Sequence, residues 1–152
     1  MAEIMHYLLT YEDIPCSSDI VWLTEHDCDK LNEHLVLCGQ KPMKKRRYRK
    51  IYREGLARYC LLYIDGVPAA RGAIEPYSER CWEAADIRVA REYRCRGLAK
   101  EILRFLSPMI IAEGKIATCR TEEHNIAMQK AMRAVGYVRG EPPVSLNKGE
   151  SS

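Results

Sequence analysis

Residues 59–76 constrain the fold of this chain more than any other segment. They hold two apolar runs, YCLLYI and AARGAI, on either side of an Asp65-Gly66 pair. An Asp-Gly pair between two such runs is typical of a β-hairpin turn, because glycine readily takes the positive φ that these turns need. The segment therefore predicts a hairpin, and the sheet of this chain must contain antiparallel strands.

The rest of the chain alternates between strand and helix signals. Thr24 is a good N-cap for one helix, with Asp27 three residues later in the manner of a capping box. Asn125 and Gly136 bracket another helix as N-cap and stop signal. The remaining segments are read from apolar periodicity. The predicted strands are 19–23, 82–89, 115–121 and a short one after Tyr137, and the predicted helices are 24–39, 43–57, 98–112 and 125–135.

This order predicts a mixed α/β (α+β) domain, with helices flanking a mostly antiparallel central sheet. The chain has 152 residues, of which 47% are hydrophobic and 30% charged, and its net charge is +3. A chain of this size can bury a hydrophobic core without disulfide bonds or metal ions, so we expect a single domain over residues 1–152. Residues 1–18 receive no assignment from the sequence.

Composition also narrows the partners and the location. The net charge is too small to predict nucleic-acid binding by the chain as a whole. No apolar run approaches the ~18 residues that span a membrane. Seven cysteines without a CxxC pair offer no zinc or redox motif. We therefore expect a cytoplasmic protein with reduced thiols, no bound metal and no membrane partner.

The segment RCRGLA, residues 94–99, follows a predicted strand and opens a predicted helix. The first N–H groups of a helix lack internal partners, and the helix dipole is positive there. Gly97 permits unusual φ values and a close approach of the backbone, and Ala99 is small. Arg94 and Arg96 add positive charge. The segment predicts a cradle for a phosphate or diphosphate, although a basic turn before a helix is the simpler alternative.

With its context, this segment resembles the acetyl-CoA loop of the GNAT N-acetyltransferase superfamily, whose pattern is R/Q-x-x-G-x-G/A between a strand and a helix. Val89 ends the preceding strand five residues before Arg94, as in that family. The string NIAMQKAMRAVGY at residues 125–137 looks like the closing segment of the family. The resemblance covers roughly residues 59–137.

The resemblance implies how acetyl-CoA would bind. Backbone amides at residues 96–100 would hold the diphosphate of coenzyme A. The strand ending at Val89 would splay from the strand at 116–120 and pair its main chain with the pantetheine arm, and Asn125 would bond the arm from the other side. The implied cofactor-binding residues are Ile87, Val89, Arg94, Arg96, Gly97, Leu98, Ala99, Lys100 and Asn125.

The resemblance also implies the chemistry: an acetyl group passes to a primary amine of a small molecule or protein by direct attack. An amine is protonated at pH 7, so a base must remove its proton. Glu83 matches the position of a glutamate base in histone-type members, while strict alternation puts Asp86 on the opposite face. Many members have a tyrosine that acts as the acid for the leaving thiolate, but this chain has Met132 at that position. Tyr137 or a water is then the candidate acid. Met132 also motivates an alternative, an acetyl-CoA-binding module with little or no transferase activity.

Three further features carry alternatives. The run KKRRYRK at residues 44–50 is read first as a solvated helix face, then as a border of the acceptor site or a nucleic-acid surface with Tyr48 interleaved. A covalent mechanism through Cys119 would need a histidine base, for which His124 is the sequence candidate. An exposed sheet edge could pair with a second copy in a homodimer.

Overall fold

The computed structural model of the chain describes residues 2–12, 16 and 18–143. Seven strands and four α-helices lie within these residues. In chain order they are β1 Glu3–Leu8, β2 Asp19–Trp22, α1 Cys28–Leu37, α2 Lys45–Arg53, β3 Arg58–Ile64, β4 Val67–Pro76, β5 Cys81–Val89, α3 Leu98–Ala112, β6 Ile116–Glu122, α4 Ile126–Val135 and β7 Val138–Arg139. A 3-10 turn, Arg91–Tyr93, joins β5 to the loop before α3.

The strands form one sheet in the order β2-β3-β4-β5-β6-β1-β7. Every neighbouring pair is antiparallel except β5 and β6, which run parallel. The predicted hairpin is β3–β4, and its turn residues Asp65 and Gly66 both have positive φ, 49° and 77°. Two positive φ values match the right-handed twist of the flanking strands. The mixed, mostly antiparallel sheet confirms the predicted fold class.

The strand β1 has no counterpart in the sequence-based prediction. It lies inside the sheet, where it pairs antiparallel with β6 over its six residues and with β7 on its other side. His6 and Leu8 are buried against the core. The short β7 therefore reaches the sheet only through β1.

Two layers of helices cover the sheet. On one face, α3 and α4 pack over a core that includes Ile102, Leu106 and Met132. On the other face, α1 and α2 pack over a smaller core around Leu31 and Tyr48. Gly72 on β4 lets α3 approach closely, because a Cβ at this position would lie 2.5 Å from the Ile102 Cγ2 atom.

The helix boundaries correct part of the prediction. The first helix begins at Cys28, with Asp27 rather than Thr24 at its N-cap. The N–H and the hydroxyl of Thr24 both donate to Asp27 Oδ2, at 2.7 and 3.0 Å, in a turn that precedes the helix. The capping-box contact thus forms one turn before the helix. The fourth helix follows the prediction, since Asn125 Oδ1 accepts the Met128 N–H at 3.1 Å and Gly136 ends the helix.

The parallel pair β5–β6 splays apart, as the resemblance implied. Its ladder joins residues 81–83 to residues 116–118 and goes no further. Beyond that point β5 stays with β4, whereas β6 stays with β1. The two strands therefore enclose a V-shaped cleft whose apex lies at the Glu83–Thr118 pair.

None of the seven cysteines forms a disulfide. Within residues 2–12, 16 and 18–143 there is no helix long and apolar enough to cross a membrane. The same residues contain no cluster of His, Cys, Asp and Glu side chains that could hold a metal ion.

Candidate active site

The loop between β5 and α3 has the backbone shape of an anion cradle. Cys95 and Gly97 both take left-handed conformations, with φ of 64° and 74°. Gly97 is the N-cap of α3, and as a glycine it has no side chain with which to cap the helix. The first turn of a helix presents N–H groups without internal partners and the positive end of the dipole. The N-terminus of α3 is thus open to a bound anion.

A cavity of about 820 Å³ lies beside this loop. Its walls are the end of β5, the loop, the first turn of α3 and one face of α4. All the predicted cofactor-binding residues line it except Arg96, whose guanidinium lies over the Tyr93 ring at 5.2 Å from the centroid. The sequence-based prediction missed several lining residues, including the basic Arg88 and Lys130.

Two polar groups border this cavity: the main chain of β5 and the side chain of Asn125. Beyond residue 83, one edge of β5 faces the cleft without a strand partner. Across from it, Asn125 uses Oδ1 to cap α4, while its Nδ2 has no hydrogen-bond partner among the described residues. Both groups suit an extended ligand that runs from the loop into the cleft.

A β-bulge in β5 changes the direction of Asp86. Ala73 pairs with Ala85 and Arg71 with Arg88, so two β5 residues stand opposite the single Gly72. Asp86 has a φ of 51°, and the extra residue reverses the alternation. The prediction that Asp86 and Glu83 point to opposite faces is therefore wrong.

The Asp86 carboxylate binds a fully buried arginine. Arg71 Nε donates to Asp86 Oδ2 at 3.0 Å and Arg71 Nη2 to Oδ1 at 2.9 Å. Arg71 Nη1 donates to Gln40 Oε1 at 2.7 Å. This bidentate ion pair links β4 to β5 at the bulge and holds Asp86 on the face covered by α1 and α2.

Glu83, the predicted base, lies at the apex of the cleft and is 8% exposed. Arg120 on β6 donates to it twice, Nε to Oε1 at 2.9 Å and Nη2 to Oε2 at 3.4 Å. Donation of these hydrogen bonds to Glu83 raises the pKa of the Arg120 guanidinium. The Tyr77 ring covers that guanidinium at 5.2 Å. Glu83 is thus one half of an ion pair that bridges β5 and β6.

A second carboxylate, which the sequence-based prediction missed, lies next to Glu83. Glu75 on β4 is directly opposite Glu83 in the sheet, so both side chains are on the same face. Glu75 is partly buried and has no hydrogen bond or ion pair among the described residues. Burial raises the pKa of the Glu75 carboxyl, the charges of Glu83 and Asp86 raise it further, and Arg120 lowers it in part.

The third member of this row is Thr118 on β6, the partner of Glu83 in the parallel ladder. It shares the face of Arg120, two residues along the strand. Its side chain is 1% exposed, and within the described part of the chain its hydroxyl has no hydrogen-bond partner. A row of Glu75, Glu83 and Thr118 therefore crosses three strands at the cleft apex.

Tyr137, the candidate acid, lies in the core under α3 and α4. Its hydroxyl is 2.7 Å from Ser107 Oγ, and burial raises its pKa above the usual range of a phenol. It does not line the cavity beside the loop. Met132 is also fully buried. The catalytic role of Tyr137 stays a prediction, and the geometry does not favour it.

Cys119 and His124 are not brought together. Cys119 is buried on β6, and burial raises the pKa of its thiol to about 12. His124 is exposed, with Nε2 3.1 Å from Glu122 Oε2. The histidine opposite Cys119 in the sheet is His6 on β1. A thiol with so high a pKa is a poor nucleophile at neutral pH.

The basic run on α2 is an exposed face of charged side chains, but Tyr48 is not part of it. The Tyr48 ring is fully buried, and its hydroxyl donates to the Thr24 carbonyl at 2.6 Å. Lys45 and Lys50 lie within 4 Å of Asp29 and Glu54. The aromatic element of the nucleic-acid hypothesis is therefore in the core.

Comparison with known proteins agrees with the fold. The sequence model of the acetyltransferase (GNAT) family matches residues 22–137. No curated protein sequence matches the chain significantly.

Solved structures resemble the fold. A GNAT-family structure from Novosphingobium aromaticivorans shares 19% identity at a TM-score of 0.70, over 91% of this chain and 60% of its own. An acetyltransferase of the GNAT family from Colwellia psychrerythraea shares 18% identity at a TM-score of 0.69, and the match covers 91% of this chain and 52% of that protein. The protein AAC(6')-Iy, in complex with the bisubstrate analogue CoA-S-monomethyl-acetylneamine, shares 17% identity at a TM-score of 0.65. The match covers 82% of this chain and 93% of that protein. This chain thus spans little more than half the length of the first two. At these identities the similarity shows the fold.

Proposed function

The chain belongs to the GNAT acetyltransferase family, and from this premise we propose that it is an N-acetyltransferase. It would move an acetyl group from acetyl-CoA to a primary amine of a small molecule or a protein, by direct attack of the amine on the thioester. The seven thiols, none of them in a disulfide, support a reducing compartment such as the cytoplasm.

One observation carries this proposal: the uncapped N-terminus of α3 opens directly onto the cavity beside the loop. Four basic side chains, those of Arg88, Arg94, Lys100 and Lys130, line the same cavity. Backbone N–H groups and positive charge in one place favour a diphosphate. The residues present therefore fit coenzyme A.

Each group along the cavity has a role in this proposal. The N–H groups of Leu98, Ala99 and Lys100 would bind the diphosphate, and the free edge of β5 would pair with the pantetheine arm as an added strand. Asn125 Nδ2 would donate to the arm from α4. When bound, acetyl-CoA supplies the activated acetyl group. The acceptor enters from the face of α1 and α2, where the carboxylates lie and where the sequence pointed to Glu83 as the base.

A second candidate function is an acetyl-CoA-binding module without transferase activity. Met132 stands where many relatives have a tyrosine acid, and Tyr137 is buried against Ser107. The leaving thiolate then has no protein acid beside it among the predicted residues. A thiolate can also leave unaided, so the lack of an acid does not prevent transfer.

The test of the cofactor site is calorimetric titration of acetyl-CoA into the wild type, Gly97→Asp and Gly114→Asp. Gly114 is a matched control, since it lies at the other end of α3 with the same φ of 74° and nothing within 4 Å of an added Cβ. The carboxylate at residue 97 faces the diphosphate, and we expect at least about a tenfold loss of affinity there. Gly114→Asp should bind like the wild type.

The outcomes separate the candidates. Binding that is lost only in Gly97→Asp, with acetylation of some member of a panel of primary amines, supports the transferase. The same binding without turnover on any amine supports the module. Wild-type protein that does not bind acetyl-CoA contradicts both.

A further inference from the structure

We propose that Glu75 is the carboxylate that takes the proton from the acceptor amine, and that the hydroxyl of Thr118 holds the amine beside it. This inference rests on the proposed transferase function and assigns its acceptor side.

The charge balance at the cleft apex singles out Glu75. Three carboxylates, Glu75, Glu83 and Asp86, share the face that α1 and α2 cover. Arg120 neutralises Glu83, and Arg71 neutralises Asp86. Among the described residues no cation forms an ion pair with Glu75, so these three carboxylates and two guanidinium groups carry one uncompensated negative charge. One ammonium group restores the balance, and its natural position is next to Glu75.

Arg120 also makes Glu83 a poor base. Two N–H groups of its guanidinium occupy the two oxygens of Glu83. Protonation of Glu83 would break these hydrogen bonds and leave Arg120 without its partner. The oxygens of Glu75 have no such donors in the part of the chain that the structure describes, and Glu75 lies in the same row of the sheet as Glu83.

Thr118 supplies an independent sign that a ligand binds here. A buried hydroxyl without a partner is unfavourable for folding, so it is retained where something else bonds to it. Thr118 lies two strands from Glu75, roughly 10 Å away at the usual strand spacing. An ammonium held between them can reach both, directly or through one water.

The proposed step balances as follows. The ammonium R–NH₃⁺ gives one proton to Glu75, and the freed lone pair of nitrogen forms a bond to the acetyl carbon. The carbon–sulfur bond then breaks, and its electron pair leaves with sulfur. The second proton passes from nitrogen to this thiolate, so the products are the amide and coenzyme A. Glu75 finally releases its proton to solvent.

The groups that act on the charge of Glu75 set the pH dependence. They are Glu83 and Asp86 on β5, Arg120 on β6 and the Tyr59 phenol on β3. Because the pKa of the Glu75 carboxyl lies above its usual value, kcat/KM should fall with decreasing pH along a limb whose midpoint lies above the usual pKa of a glutamate. In Glu83→Gln a neighbouring negative charge is gone, so this limb should persist and move to lower pH.

The decisive experiment measures pH–rate profiles of Glu75→Gln, Glu83→Gln and the exposed control Glu79→Gln, using the amine that the wild type acetylates best. We expect Glu75→Gln to lower kcat by about 10²- to 10⁴-fold and to remove the acid limb. Glu79→Gln should match the wild type. In the absence of ligand, carboxyl ¹³C NMR of the wild type should show one elevated carboxyl titration that Glu75→Gln abolishes.

Thr118→Val separates a ligand-directed hydroxyl from a structural one. It removes the unpaired hydroxyl and nearly keeps the shape, so the unfolding midpoint should be unchanged or higher. The KM for the amine should rise about tenfold, by the loss of one hydrogen bond. A lower midpoint with unchanged KM would overturn the role of Thr118.

The failures are distinguishable. If Glu75→Gln keeps kcat within about threefold and retains the acid limb, or if Glu83→Gln removes the limb, Glu75 is not the base although the transferase function stands. If the wild type binds acetyl-CoA but acetylates no amine, the transferase function fails, and the role of Glu75 fails with it.

Discussion

Two fully buried basic side chains, Arg71 and His34, lie on the side of the sheet that α1 and α2 cover, and each has different hydrogen-bond partners. Arg71 is paired with Asp86 and Gln40. His34 on α1 has Nδ1 2.7 Å from the Pro68 carbonyl and Nε2 3.3 Å from Cys38 Sγ. A neutral imidazole that donates to the carbonyl and accepts from the thiol satisfies both contacts. A protonated ring would leave one donor facing the thiol.

The free energy of unfolding should therefore depend on pH through His34. Burial lowers the pKa of this imidazole below 6.5, and the Pro68 carbonyl opposes that change only in part. The folded state then binds fewer protons than the unfolded state, so stability is present above pH 6.5 and is lost as pH falls below it. Between pH 7.5 and 5.5, wild type should lose up to about 1.4 kcal/mol more than His34→Gln.

Urea unfolding at the two pH values measures this difference. His6, whose pKa burial also lowers, contributes equally to both proteins and cancels. The exposed His26 provides a matched control, since His26→Gln also removes one histidine but keeps His34 and the loss of stability that His34 causes. Equal slopes for wild type and His34→Gln would show that the ring is not held neutral.

At the scale of elements, α4 has two tasks at its N-terminus. The Asn125 side chain caps the helix through Oδ1, and the residue also lines the cavity, where its Nδ2 would be a donor in the proposed function. A serine can cap a helix equally well but has no amide donor. The two tasks of this residue are therefore separable by substitution.

Asn125→Ala should lower the free energy of unfolding by about 1 kcal/mol through loss of the cap. Asn125→Ser should restore most of that stability. Acetyl-CoA affinity should fall by roughly two- to tenfold in both variants, because each lacks the Nδ2 donor. Thermal unfolding and calorimetry provide the two readouts. Wild-type affinity in Asn125→Ser would limit Asn125 to its cap.

At the scale of the whole molecule, β1 joins the two ends of the described chain. It lies between β6 and β7 and buries Leu8 in the larger core. Within the described residues β7 is the strand that follows β6, and it is attached to the sheet through β1. The sheet edges are β2 and β7, so pairing with a second copy through either edge stays a prediction.

Breaking the β1 ladder should destabilise the entire sheet. Tyr7 pairs with Thr118 on one side and Val138 on the other. Tyr7→Pro removes a backbone donor inside the sheet, and we expect it to be about 3 kcal/mol less stable than Tyr7→Ala, which loses only the side chain. Chemical denaturation compares the two. Equal stability of the two variants would show that β1 contributes little through its backbone.

Local signals in the sequence determined the hairpin at Asp65-Gly66, the loop before α3 and the caps of α4. Turn conformation, helix-terminus chemistry and apolar periodicity depend on residues a few positions apart, so the chain itself carries them. The family resemblance, rather than these local signals alone, gave the set of cofactor residues, and all of them except Arg96 line one cavity.

The tertiary structure alone decided how the side chains are arranged at the cleft apex. The place of β1 depends on strands more than a hundred residues away, and the direction of Asp86 depends on a bulge set by pairing with β4. The Arg120–Glu83 ion pair and the unpaired Glu75 arise because three strands come together at the cleft apex. Contacts of this kind are set by register between distant segments, which periodicity within one strand does not encode.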